Sequence, residues 1–189
     1  MRIRTWLAAA LLALVSSGLA AQTHGAPEDF TAIAIANNNL GSGAGTVLIS
    51  IDRWSTDAER QLLVTTLQKE GPRALLDELQ DIRPVGMIRT PDSLGYPLRY
   101  AHQMAAEDGG RQIVIATDRP IGFWEAWQGA RTLDYPFTVV QMNIGPGGKG
   151  TGTLSLATRI RAYGDIIELE NFASAPVMLT EILAMKDRD

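Results

Sequence analysis

The sequence predicts a mainly β protein of the α+β class, an antiparallel barrel or sandwich of about nine strands with one helical hairpin. Segments of alternating apolar and polar residues recur along the chain, and Gly-rich turns such as EDGG (107–110) and GPGGKG (145–150) follow some of them. Strands joined by such short turns pair antiparallel. A helical period occurs between residues 56 and 82 and then vanishes.

The first two strands are predicted from alternation in FTAIAIANNN (30–39) and TVLISIDRW (46–54). Each places small or branched apolar residues on one face, for example Val47, Ile49 and Ile51 in the second. The GSGAG stretch between them (41–45) is interpreted as a flexible connection. The two strands therefore form a hairpin.

The stretch DRWSTDAER (52–60) predicts the start of a helix. Thr56 stands three residues before Glu59, which is the spacing of a capping box. The helix ends at Gly71, and Pro72 suits the first position of a second helix. One face of each helix carries leucines, so the two helices form a hairpin that covers one end or face of the sheet. Trp54 is expected to pack where the strand meets the helix.

Seven further segments are predicted to be strands from their apolar runs and from the turn residues between them. They are residues 85–90, 97–104, 111–118, 136–144, 151–162, 165–172 and 176–185.

The N-terminus has the three parts of a secretory signal peptide. Arg2 and Arg4 form a positive start, WLAAALLALV (6–15) is an apolar run too short to span a membrane, and small residues follow. We predict a signal peptide over residues 1–21 and export to the periplasm or the extracellular space.

The remaining chain divides into a flexible lead over residues 22–29 and a single β-rich domain over residues 30–189. Loss of the leader arginines takes the net charge from −4 to about −6, which argues against nucleic acid as a partner. No later segment is apolar enough to form a transmembrane helix. The absence of cysteine excludes disulfides and thiolate metal sites.

No complete catalytic or metal-binding motif is present, and no cofactor is predicted. GSGAGT and GPGGKGTG lack the order and the following helix of a phosphate loop. The two histidines, His24 and His102, are too few for a histidine-based zinc site. His102 lies in a strand pattern, and no Gly-x-Ser-x-Gly elbow accompanies it.

Charged and aromatic residues gather near predicted strand ends, where they could line the mouth of a pocket and pair with an acidic ligand group. The candidate ligand-binding residues are Arg89, Tyr96, Arg99, Tyr100, Asp118, Arg119, Trp124 and Glu125. The competing interpretation, which we favour, is a salt-bridged rim in which Arg89 or Arg119 ties loops together. A further alternative uses Asp118 and Glu125 as the paired carboxylates of a hydrolase or isomerase.

Several stretches also carry a resemblance that covers nearly all of the chain after the leader. IDRWSTDAERQLL, VGMIRTPDSLGYPLRYA, IVIATDRPIGFWEA, DYPFTVVQM and GTGTLSLAT resemble an uncharacterised family of small bacterial proteins that carry signal peptides. The resemblance implies bacterial origin, export and a single domain, and it implies no reaction.

The sequence therefore leaves three functional hypotheses. The first is an exported non-catalytic protein that binds a small or apolar ligand or an envelope partner. The second is the carboxylate-based hydrolase or isomerase, and the third is a structural or interaction module. A deep apolar cavity favours the first, two acids facing one cleft favour the second, and a filled interior with an apolar patch outside favours the third.

Overall fold

The computed structural model of the protein describes residues 25–38, 41–122, 134–163 and 166–185. These residues form ten strands and two helices. In chain order the elements are β1 (Glu28–Asn38), β2 (Gly41–Ile51), α1 (Asp57–Glu70), α2 (Pro72–Asp81), β3 (Gly86–Arg89), β4 (Tyr96–Leu98), β5 (Tyr100–Ala105), β6 (Arg111–Ala116), β7 (Phe137–Ile144), β8 (Lys149–Tyr163), β9 (Ile166–Asn171) and β10 (Val177–Met185).

The strands form one antiparallel sheet that curls into a nearly closed, barrel-like shape. Nine of them lie side by side in the order β4-β3-β2-β1-β10-β8-β7-β6-β5, and β9 pairs with the C-terminal part of β8. The two strands at the ends of this order, β4 and β5, are separated in the chain by Arg99 alone. The predicted mainly β fold with a helical hairpin is thereby confirmed.

The chain brings the two ends of the sheet together by changing its pairing partner at Arg99. Before it, β4 pairs with β3, and the Leu98 carbonyl accepts a hydrogen bond of 2.8 Å from the Val85 amide. After it, β5 pairs with β6, and the Arg99 amide itself donates to the Ala116 carbonyl over 3.0 Å. The single strand predicted over 97–104 is therefore two short strands. The alternation of apolar and polar residues in residues 97–104 does not indicate which strand each half of the segment pairs with.

The β1–β2 hairpin is longer than the alternation predicted. Gly41–Gly45, predicted to be a flexible connection, belong to β2 and pair residue by residue with β1. This prediction was wrong because the hydrogen bonds between strands are formed by main-chain groups. The pattern of side chains in the sequence does not show which main-chain groups are paired. β1 also begins at Glu28, inside the segment predicted to be a flexible lead.

The helical hairpin follows the predicted signals closely. The Thr56 hydroxyl accepts from the Glu59 amide over 3.0 Å, and the Glu59 carboxylate accepts from the Thr56 amide over 2.8 Å. Gly71 ends α1 with φ 88° and ψ −174°, and Pro72 opens α2. The capping box and both helix boundaries are confirmed.

The fold has two hydrophobic cores, one on each side of the sheet. The first fills the inside of the barrel, and most of its large side chains are completely buried. Trp54 belongs to it, is 4% exposed, and donates from Nε1 to the Ala26 carbonyl over 3.0 Å, in agreement with its expected packing at the strand end. The second core joins the leucines of α1 and α2 to the outer face of the sheet at Phe137, Val139 and Ile160. The hairpin therefore covers a face of the barrel.

Candidate functional site

The candidate rim residues separate into two regions of the structure. Tyr96, Arg99, Asp118 and Arg119 come together around one buried carboxylate. Tyr100 lies on the outer face of β5, under the helical hairpin. Three candidates join neither group: Arg89 forms no side-chain hydrogen bond or ion pair within the described part of the chain, and Trp124 and Glu125 lie outside the described residues.

The Asp118 carboxylate is 1% exposed and accepts hydrogen bonds from two arginines. Arg99 donates from Nε to Oδ2 over 3.2 Å, and Arg119 donates from Nε to Oδ1 over 3.0 Å. Burial alone raises the pKa of Asp118, but the hydrogen bond and charge of Arg119 and the charge of Arg99 outweigh it, so the pKa lies below its ordinary value. The carboxylate is therefore ionised and engaged on both oxygens.

The segment after β6 is held in place by this cluster and by buried hydroxyls. The Arg119 carbonyl accepts from the Thr117 and Thr138 hydroxyls, and the Thr138 hydroxyl also accepts from the Ile121 amide over 2.9 Å. Ile121 is fully buried in the barrel core. The Tyr96 hydroxyl donates to the Gly122 carbonyl over 3.0 Å. These contacts support the interpretation of a salt-bridged rim, with Arg119 fixing a loop over one end of the barrel.

The other end of the barrel carries an ion pair that the sequence did not reveal. Arg111 donates from Nη1 to the Glu28 carboxylate over 2.7 Å and to Gln103 Oε1 over 2.8 Å. Its guanidinium also lies 5.7 Å from the centre of the Phe30 ring. Because Glu28 and Arg111 are 83 positions apart, no local pattern pairs them.

An apolar groove of about 290 Å³ lies between the helical hairpin and the outer face of the sheet. We call it the hairpin groove. Apolar side chains from both helices form one wall, and outward-facing side chains of five strands form the other. The lining residues are Arg60, Leu63, Val64, Leu67, Leu75, Leu79, Tyr100, His102, Met104, Val114, Ala116, Val139, Gln141, Ile160, Ile167 and Leu169.

Three of the four polar side chains of the groove gather where α1 begins above β5, and the fourth, Gln141, lies on β7. His102 Nε2 lies 3.3 Å from the Asp57 carboxylate, and the rings of His102 and Tyr100 are stacked with centres 6.1 Å apart. Burial raises the pKa of Tyr100 to about 12, and the charge of Asp57 acts in the same direction, whereas the charge and hydrogen bonding of Arg60 oppose the increase. Arg60 and the Tyr100 hydroxyl are therefore close neighbours at one end of an apolar space.

The sequence of β7 indicates where the groove lies, although the helix sequences alone do not. β7 is apolar on both faces, with Val140 and Met142 pointing into the barrel and Phe137 and Val139 pointing to the helices. A strand that is buried on both faces has apolar residues pointing to both sides of the sheet, and PFTVV (136–140) is apolar at every position except Thr138. This run indicates the part of the sheet that the hairpin covers.

Across the described ranges, no three or more His, Cys, Asp and Glu side chains cluster in a way that could hold a metal ion. A search of those same residues for a helix of membrane-spanning length and hydropathy found none. No protein-family model, curated protein or solved structure matches the chain.

Proposed function

We propose that the protein is an exported, non-catalytic protein that binds a small apolar ligand in the hairpin groove. The observation that carries the proposal is the position of the apolar space. The barrel interior is filled by the protein's own side chains, whereas the groove outside it is apolar and about 290 Å³ in volume. This volume is close to the lower limit of about 300 Å³ for sites that bind small molecules.

The proposed location is the periplasm or the extracellular space. It is supported by the signal-peptide pattern of residues 1–21 and by the resemblance to an uncharacterised family of secreted bacterial proteins. A protein purified from the envelope fraction should therefore have the mass of a chain that begins after Ala20 or Ala21.

The environment of Asp118 does not favour the hydrolase alternative. A general acid needs a pKa raised toward the working pH, and a nucleophile or base needs an accessible oxygen. The pKa of Asp118 is lowered, and both of its oxygens accept hydrogen bonds from arginine. Its predicted partner Glu125 lies outside the described residues.

A second candidate function is that of an interaction module, and two features favour it: the barrel interior is filled by the protein's own side chains, and an apolar surface lies outside it. Apolar side chains on the outer faces of β1 and β10 are between 42% and 48% exposed. They are Ile35, Met178, Leu183 and Met185. If an envelope partner binds to this face, replacement of both Met178 and Leu183 by lysine should abolish that binding.

The test of the groove uses a neutral fluorescent probe, N-phenyl-1-naphthylamine, and a variant that fills the space. Val114 points into the groove from β6, so Val114→Phe should weaken probe binding by at least about tenfold. Met87→Phe is the matched control, because Met87 is 42% exposed on β3 and does not line the groove. Circular dichroism and the melting temperature establish that both variants fold.

Equal probe binding by the wild type and a folded Val114→Phe variant would contradict the groove as the ligand site. If Val114→Phe fails to fold, Ala116→Leu fills the same space with a smaller addition. Native mass spectrometry of the protein purified from its envelope provides an independent measurement. The proposal expects an excess mass that disappears on denaturation.

A further inference from the structure

The hairpin groove combines a long apolar wall with a cation at one end, and this asymmetry limits which ligand it suits. Leucines from both helices and outward residues of β6 to β9 form the apolar part. Arg60 is exposed on α1 at the edge of this space and makes no ion pair with a carboxylate of the described residues. A buried apolar ligand with one negatively charged end would match both parts.

Tyr100 provides a second donor beside Arg60. Its side chain is half-buried at the groove, its hydroxyl oxygen accepts a hydrogen bond from Arg60, and no carbonyl or carboxylate of the described residues accepts its O–H. An O–H donor in an apolar site costs free energy unless a ligand or water accepts a hydrogen bond from it. The Arg60 guanidinium and the Tyr100 hydroxyl thus present donors to the same end of the groove.

The acidic group nearby does not occupy this position. The Asp57 carboxylate is 69% exposed and lies 3.3 Å from His102 Nε2, so it is directed toward the imidazole. Asp57 and Arg60 are one helical turn apart, and Arg60 forms a hydrogen bond with the Tyr100 hydroxyl at the groove. The Asp57 side chain does not line the groove.

We propose that the ligand of the hairpin groove is a single-chain fatty acid. Its carboxylate accepts hydrogen bonds from Arg60 and Tyr100 at the β5 side, and its alkyl chain lies against the leucines of α1 and α2. This inference rests on the proposed function of the groove. Charge complementarity supports it, because a planar guanidinium binds a carboxylate with strong, charge-assisted hydrogen bonds.

The experiment compares two ligands that differ only at the polar end, decanoate and 1-decanol, at pH 8. Each is titrated against the complex of the protein with N-phenyl-1-naphthylamine, and the displacement gives its dissociation constant. The wild type should bind decanoate at least about tenfold more tightly than 1-decanol, since a hydrogen bond to a charged group contributes roughly that factor.

Arg60→Gln should remove this preference while 1-decanol binds as before, and Tyr100→Phe should reduce the preference severalfold. The matched control is Arg73→Gln, which makes the same change of charge on α2 at an exposed residue outside the groove. It should retain the wild-type preference. If Arg60→Gln is unstable, Arg60→Lys keeps the charge but loses the bidentate geometry, and a severalfold weaker preference is expected.

The outcomes separate the two proposals. Equal binding of decanoate and 1-decanol by the wild type, or an unchanged preference in Arg60→Gln, would overturn the fatty-acid proposal and leave an apolar ligand site. If neither ligand displaces the probe and Val114→Phe binds the probe like the wild type, the groove itself is not a ligand site.

Discussion

Arg99 and Asp118 form a buried ion pair, with 3.2 Å between Arg99 Nη2 and Asp118 Oδ2. The same guanidinium donates from Nη1 to the carbonyl of Ile82, at the end of α2, over 2.8 Å. Because Arg99 is also the residue at which the chain passes from β4 to β5, this one side chain connects the closure of the barrel to the helical hairpin. The hairpin groove therefore depends in part on a pair of residues outside it.

Replacement of Asp118 should destabilise the protein more than replacement of a surface acid. Asp118→Ala leaves the Arg99 side chain, which is 17% exposed, without its carboxylate partner. We expect the free energy of unfolding to fall by about 2–4 kcal/mol, because the partner of a buried ion pair is left uncompensated. Urea unfolding measures this difference.

Asp77→Ala is the matched control for that variant, since Asp77 is exposed on α2. It should change the free energy of unfolding by less than about 0.5 kcal/mol. Arg119→Ala should be intermediate, because the Arg119 side chain is 52% exposed and its ion pair is screened by solvent. Equal losses in Asp118→Ala and Asp77→Ala would show that the buried cluster does not stabilise the fold.

The stabilising effect of Asp118 should disappear in acid. The pKa of Asp118 is lower in the folded protein than in the unfolded chain, where an aspartate titrates at about 3.9. The ionised carboxylate therefore stabilises the folded state above about pH 4, and this contribution is lost as the pH falls through the lower folded pKa.

The measurement is the urea midpoint of the wild type and of Asp118→Asn between pH 6 and pH 2.5. The wild type should be more stable at pH 6, and the difference should narrow as the pH decreases. The Asp118→Asn variant should keep some acid sensitivity, because the pKa of Glu59 is also lowered: burial raises it, but hydrogen bonds from Arg53 and Thr56 prevail. A difference that stays constant over the whole range would contradict the assignment to Asp118.

The junction between the two helices should tolerate only glycine. Gly71 has φ 88° and ψ −174°, a conformation that residues with a side chain rarely adopt. Among the described residues, apart from the neighbouring backbone, no atom lies within 4 Å of the position that a Cβ would take, so the cost of Gly71→Ala is conformational. We expect the free energy of unfolding to decrease by about 1–3 kcal/mol.

Gly147→Ala is the corresponding control. Its Cβ would also have open space, and its φ does not lie in the positive range. This variant should be neutral or slightly stabilising, because alanine restricts the unfolded chain. A similar loss in both variants would show that the φ of Gly71 does not determine the cost.

The parts of the fold that the sequence predicted correctly depend on contacts between near neighbours. Thr56 and Glu59 are three positions apart, and Gly71 and Pro72 are adjacent, so the helix boundaries are visible in the sequence. The end of the predicted strand at Trp54 and the strand character of Gly41–Gly45 were not predicted correctly. The end of this strand and the strand character of the glycine-rich stretch depend on which main-chain groups are paired. The alternation of side chains does not show this pairing.

The contacts in the candidate site were also not predictable where they join residues distant in the chain. The sequence identified Arg99, Asp118 and Tyr100 as notable, but it did not show that the first two form a pair or that Tyr100 lines a groove under the helical hairpin. Arg60 was not a candidate at all, because an arginine on an amphipathic helix has no distinguishing local pattern. Its proximity to Tyr100, forty positions later in the chain, exists only in the folded protein.

The position of β10 in the sheet also determines when, during folding, the sheet can be completed. β10 lies between β1 and β8, so the first strand gains its second neighbour only when the last strand has arrived. Joining them closes a loop of nearly the whole chain, a step that is entropically costly and kinetically late. A chain that stops before Val177 would expose two unpaired strand edges, which recruit strands of other molecules. Removal of residues 177–189 should therefore cause aggregation rather than a local defect.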